Sequence, residues 1–152
     1  EQIDATLLVV GKGDQIEGRK LAKSLGIIEN VVFTGFVDDI TLKKCYALCS
    51  VYVCPSKLEG FGLTLLEAMA CGKTVVASNI TAIPEVVGDA GILVEPKNPN
   101  ALADAIIDLL NNESKRKKLE KKALKRVYEK FTWSTSADKL IKVYENLRGK
   151  SK

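Results

Sequence analysis

The 152-residue chain contains no histidine. That absence removes the commonest general base at neutral pH, so a serine or cysteine triad confined to this chain is disfavoured, and any base or nucleophile is a carboxylate, a cysteine or a lysine, or comes from outside. It also removes the imidazole half of a Cys–His zinc site. The four cysteines, Cys45, Cys49, Cys54 and Cys71, form no Cys-x2-Cys pair, so no metal is expected. Cys45 and Cys49 share a helix face and read as small buried thiols in a reducing cytoplasm. Long apolar runs are missing too. Nothing approaches the roughly 20 residues of a membrane-spanning helix, and the start carries no signal-peptide pattern. Aromatic residues make up only 6% and do not alternate with basic ones, which disfavours a stacking platform for nucleic acid.

What remains is 46% apolar and 28% charged, ordinary for a soluble domain with a substantial core. Five short apolar runs punctuate the chain: Ala5 to Val10, Val31 to Thr34, Val51 to Pro55, Thr74 to Ser78 and Gly91 to Val94. The first and fourth read as strands buried on both faces. Between them the apolar spacing turns helical, over 15–25, 41–49, 63–70 and a short piece opened by Pro84. Asn98 or Asn100 can cap a further helix with a stripe of Leu102, Ala105, Ile106, Leu109 and Leu110. This alternation predicts a Rossmann-like three-layer α/β domain, residues 1–152, with a mainly parallel sheet of about five strands. Its ligand site lies beyond the carboxyl ends of the strands.

The most informative stretch runs from Pro55 to Gly72, as strand end, glycine-bearing loop and helix. The amides of Gly62, Leu63 and Thr64 are the open donors of a helix amino end, where an anion such as phosphate is favoured by the N–H groups and the dipole together. Glu59 lies in the loop and Glu67 one turn inside the helix. A diphosphate bearing a hydroxylated group at each end suits that layout, one acid accepting from each end. An ordinary surface loop ahead of a core helix explains the same spacing.

The segment Glu59-Gly-Phe-Gly-Leu-Thr-Leu-Leu-Glu67-Ala-Met-Ala-Cys-Gly-Lys73 resembles the Glu-x7-Glu signature of the group 1 family of retaining nucleotide-sugar glycosyltransferases, which have the two-domain GT-B architecture. The resemblance extends through Val32-Phe-Thr-Gly-Phe-Val37, Val53-Cys-Pro-Ser56, Thr74-Val-Val-Ala-Ser78 and Ile83-Pro-Glu-Val-Val87, in the family's order and spacing. It implies the donor-binding, C-terminal half of that fold. Glu59 becomes the catalytic candidate, touching hydroxyls of the donor sugar, and Glu67 takes the ribose hydroxyls. Gly60 and the backbone of Phe61, Gly62, Leu63 and Thr64 lie near the diphosphate. Gly13 lets backbone approach the ligand. The loop from Gly35 to Val37 lies beside the nucleobase through its backbone, with Phe36 and Val37 as core side chains. The implied reaction moves a hexose from a nucleoside diphosphate sugar to an acceptor held by another domain, with no cofactor besides the donor.

Departures from the family pattern carry expectations of their own. The family's domain opens with one more strand and helix, bearing an arginine and a lysine that grip the diphosphate. Without them this chain is expected to bind nucleotide weakly and to be inactive alone. That strand is central in the family's sheet. Here the sheet closes up, another chain supplies a strand, or the sequence is part of a longer protein. Thr74 stands where the family usually has proline, and Thr81-Ala82 where it usually has glycines. Residues 115 to 130 hold nine Lys or Arg against two acids, a net of +7 in a chain of net +4. They fall on an amphipathic helix of about 114–130 with a stripe of Leu119, Ala123, Val127 and Phe131. A last helix of about 134–148 presents Ala137, Leu140, Ile141, Tyr144 and Leu147. Such a basic face is ordinarily just solvated, and peripheral contact with an anionic membrane is the second reading. A non-catalytic nucleotide-binding or interaction module docking through that helix is the alternative function.

Overall fold

The computed structural model describes residues 4–149. Strands and helices alternate as expected: β1 (Leu7–Val10), α1 (Ile16–Ser24), β2 (Val31–Gly35), α2 (Asp39–Leu48), β3 (Val51–Cys54), α3 (Leu63–Ala70), β4 (Thr74–Ser78), α4 (Ile83–Val87), β5 (Ile92–Val94), α5 (Pro99–Asn111), α6 (Glu113–Lys130) and α7 (Trp133–Gly149). The strand pairings among the described residues are parallel. They form two ladders, β1–β2 and β3–β4–β5, rather than closing into one. The chain correspondingly separates into two compact units, one up to Cys45 and one from Tyr46 onward.

In the first unit β1 and β2 run in register from Leu7 opposite Val31, with a shift after Val9 that sets Val10 opposite Gly35. Helix α1 buries Ala22, and Arg19 lies over the Phe33 ring at 4.6 Å. The expectation that the first strand is buried on both faces fails. Leu7, Leu8 and Val32 are exposed, as are Ile16, Leu21 and Leu25 of α1. A two-stranded ladder has two open edges and too few elements around it to cover both faces. Phe36, expected in the core, is 69% exposed, with the Lys12 ammonium over its ring.

The second unit is built on β4. All five of its residues are buried, because β3 and β5 pair with its two edges while α3, α5 and α6 pack on it. Val76 meets Ala105 and Leu109 of α5 in a core cluster that also takes in Val51, Ile92, Leu102 and Leu119. The strand's alternation sends Val75 to the opposite face, where it and Val87 crowd Gly91. Helix starts follow the asparagines: Asn98 accepts from the Ala101 amide at α5, and Asn112 accepts from the Lys115 amide at α6.

Helix α6 is bound in place by its own cations. The Arg126 guanidinium donates to the carbonyls of Val86 and Glu85, at 2.8 and 2.6 Å, and Arg116 donates to the Leu109 carbonyl at 2.9 Å. Those carbonyls belong to the carboxyl ends of α4 and α5, where a cation is favoured. Helix α7 leaves Trp133, Leu140, Ile141, Val143 and Tyr144 exposed. Among the described residues no helix is long and apolar enough to cross a membrane.

Thr74, the residue in the usual proline position, is fully buried, and its hydroxyl has no hydrogen-bond partner. A desolvated, unsatisfied hydroxyl costs about 1–3 kcal/mol. Thr74→Val keeps the shape and removes that cost, so it should stabilise the protein by about 1 kcal/mol. The check is the denaturant midpoint at unchanged m-value, and a fall in the midpoint would refute the assignment.

Candidate functional site

The site grows from one backbone turn. Gly62 holds φ +94 and ψ 43 at the N-cap of α3, a left-handed conformation that glycine adopts without strain. The turn lets the Gly62 carbonyl accept the helix's first bond, from Leu66 at 3.1 Å. No side chain caps this helix end, and the amides of Leu63, Thr64 and Leu65 have no hydrogen-bond partner among the described residues. Below them, Leu65, Leu66, Ala68 and Met69 are buried and fix the helix. At the other end Gly72, at φ +71, closes α3: Lys73 N–H reaches the Ala68 carbonyl and Gly72 N–H the Met69 carbonyl, a Schellman arrangement.

Both acids flank this amino end, and neither forms an ion pair among the described residues. Glu59 is half-buried and folds back so that Oε1 accepts from the Gly62 amide at 3.1 Å. The Gly62 amide is therefore occupied, and the open donors are shifted one residue along from those expected. Glu67 is exposed, and its Oε2 accepts from the Tyr46 hydroxyl at 2.8 Å. Burial, reinforced by that hydrogen bond to Glu67, pushes the Tyr46 phenol above its ordinary range. The Tyr46 ring rests 5.6 Å from that of Tyr52, whose phenol is likewise raised by burial.

The other expected residues fall as follows. Gly60, Phe61, Leu63 and Thr64 are exposed around the turn. Phe61 meets Phe131, at the end of α6, edge-on with centroids 6.4 Å apart. Gly13 and Val37 lie in the first unit, beyond the carboxyl ends of β1 and β2 respectively. Sequence reasoning missed Tyr46, Tyr52 and Phe131, which had been read only as core or not at all. It flagged Thr81 only as a departure. Thr81 takes φ +42, the left-handed region that the family's glycine would occupy freely, and donates from Oγ1 to the Glu59 carbonyl at 2.7 Å. That bond ties the β4–α4 turn to the loop bearing the acid. Beside this loop a cavity of about 180 Å³ opens among Pro55, Lys57, Ser78, Val94, Lys97 and Leu102.

Set against known proteins, residues 1–126 match the family model described as glycosyl transferases group 1. The chain belongs to the group 1 glycosyltransferases. It is 37% identical over 147 residues to a phosphatidyl-myo-inositol mannosyltransferase of Mycobacterium leprae, covering 95% of this chain and 38% of that relative. It superposes on the C-terminal domain of a group 1 family protein of Francisella tularensis with TM-score 0.71 and 33% identity, over 78% of this chain and 63% of the other. The Anabaena protein HepE, solved in complex with UDP and glucose, matches with TM-score 0.83 and 27% identity, over 95% of this chain and 41% of the other. The group 1 glycosyltransferase thus has the Rossmann-like fold of its GT-B neighbours, and spans well under half the length of the mannosyltransferase it resembles.

In this glycosyltransferase the turn at Gly62 is open to a direct test. A Cβ at that position would stand 3.2 Å from Leu65 Cδ1, on a backbone that side chains resist. Gly62→Ala should destabilise the fold by about 1–2 kcal/mol, the cost of a left-handed non-glycine residue. Equilibrium denaturation reads the change, and an unaltered midpoint would show that the turn relaxes.

Proposed function

We propose that this chain is the donor-binding part of a retaining hexosyltransferase, which moves a hexose from a nucleoside diphosphate sugar to an acceptor bound by the rest of a longer, cytoplasmic protein. The carrying observation is the uncapped amino end of α3, with three open amides between two unpaired carboxylates. The diphosphate lies at the amides of Leu63, Thr64 and Leu65, where N–H groups and helix dipole both favour negative charge. Glu67 accepts from the ribose hydroxyls. Glu59, the catalytic candidate, positions the sugar through the carboxylate oxygen that the Gly62 amide leaves open. Similarity to a mannosyltransferase and to a protein holding UDP and glucose supports the donor class.

Chemically the chain's contribution is positional and electrostatic. Departure of the nucleoside diphosphate builds charge on its terminal phosphate oxygens. Fixed amides stabilise that charge without reorganising, while a carboxylate on the sugar hydroxyls holds the anomeric carbon in line. No step requires a histidine.

The reading is tested by calorimetry with ADP, GDP and UDP. Glu67→Gln should weaken the preferred nucleotide by about 1–3 kcal/mol, the loss of hydrogen bonds to a charged acceptor. Unchanged affinity would remove Glu67 from the ribose. In the longer protein, a panel of UDP-, GDP- and ADP-sugars should release sugar for one nucleotide only, with Glu59→Gln slowing release while sparing nucleoside diphosphate binding. Release by the variant at the full rate would exclude Glu59 from the sugar.

A further inference from the structure

The acid assigned to the ribose does not stand alone. Glu67 is on an exposed face of α3, where a glutamate carboxylate ordinarily samples several rotamers and spends little time in any one. Here its Oε2 is held at 2.8 Å by the hydroxyl of Tyr46, a side chain 7% exposed and rooted in α2, twenty-one residues away in sequence. The tyrosine has little freedom of its own, because its ring stacks at 60° against Tyr52 of β3. A phenol rooted in α2 thus holds the carboxylate of Glu67 on α3.

We propose that Tyr46 is a positioning residue that presets Glu67 for the ribose. The phenol occupies one lone pair of Oε2 and leaves Oε1, with the remaining lone pairs, facing solvent for two vicinal hydroxyls. A carboxylate fixed before the ligand arrives gives up less rotamer freedom on binding, so more of each ribose hydrogen bond appears as affinity. The phenol donates and cannot be displaced as an acid, since Tyr46 keeps its proton throughout the neutral range. The proposal rests on Glu67 being the ribose acceptor, and the test separates the two claims.

The experiment compares the preferred nucleoside diphosphate with its 2′,3′-dideoxy counterpart by calorimetry. The wild type should favour the ribonucleotide, and Glu67→Gln should erase that preference. Tyr46→Phe keeps the ring and removes only the hydroxyl. It should cut the ribonucleotide affinity about 3- to 10-fold and leave the dideoxy affinity unchanged, a pattern that general loosening of the fold does not produce. Glu67→Asp, which keeps the charge but draws the carboxylate out of Tyr46's reach, should lose the preference similarly and serves if Tyr46→Phe is unstable. The double variant Tyr46→Phe/Glu67→Gln should be no weaker than Glu67→Gln. Full ribose preference in Tyr46→Phe, with loss of it in Glu67→Gln, overturns the positioning role alone. Retained preference in Glu67→Gln overturns the ribose assignment and this proposal with it.

Discussion

A single left-handed residue governs the second unit's chemistry. With Gly62 at φ +94 the chain leaves the β3 loop and enters α3 without a side-chain cap. Its first amides consequently have no protein partner among the described residues. A serine or aspartate N-cap, in the extended conformation such caps adopt, would have closed this end by accepting from its amides. The helix instead takes its stability from burial of Leu65, Leu66, Ala68 and Met69 and from the glycine closure at Gly72. Openness at one end is offset by packing along the body.

Two carboxylates beside the proposed phosphate site present an electrostatic problem, and the structure restrains both. Like charges a few ångströms apart in a partly shielded cleft repel by several kcal/mol unless turned away or engaged. Glu59 is engaged by the Gly62 amide, with its backbone held by Thr81, and Glu67 by the Tyr46 phenol. Each bond is a neutral donor on a charged acceptor, the stronger kind of protein hydrogen bond. Each uses only part of the carboxylate's capacity. Each acid is thereby held in place with acceptor capacity to spare, as the proposed contacts with sugar and ribose hydroxyls require.

The parts of this arrangement that could be read from sequence were the local ones. Helix α3 begins and ends where Gly62 and Gly72 put it, and β4 runs from Thr74 to Ser78 with every residue buried, as its apolar run indicated. The resemblance brought Glu59 and Glu67 into a common site, and the structure sets them at the same helix end. The Tyr46–Glu67 bond spans 21 residues and the Thr81–Glu59 bond 22, and nothing in residue spacing signals either pairing. Tyr46 could be read only as one more apolar residue on the face of α2. Burial in the first unit was misread for a different reason. An apolar run such as Leu7–Val10 reports what a strand is able to bury, whereas actual burial depends on how many elements surround it.

The basic helix shows how a sequence count misleads when partners lie outside the window. The +7 of residues 115–130 omits Asp89, Asp108 and Glu113, each paired with a lysine of that helix, which lowers the local net charge to +4. Arg116 and Arg126 are engaged with backbone carbonyls at the ends of α5 and α4, a task suited to a planar guanidinium with several fixed donors. Lys118, Lys121 and Lys130 are left without an acid or carbonyl partner among the described residues. At about 1 kcal/mol per lysine near an anionic bilayer, three such charges supply roughly 3 kcal/mol, less than the marginal binding of a single acyl chain. The sequence composition of α6 is accounted for mainly by the helix ends it holds, and Phe131, at the end of that helix and against Phe61, supports the loop on which the proposed donor site is built.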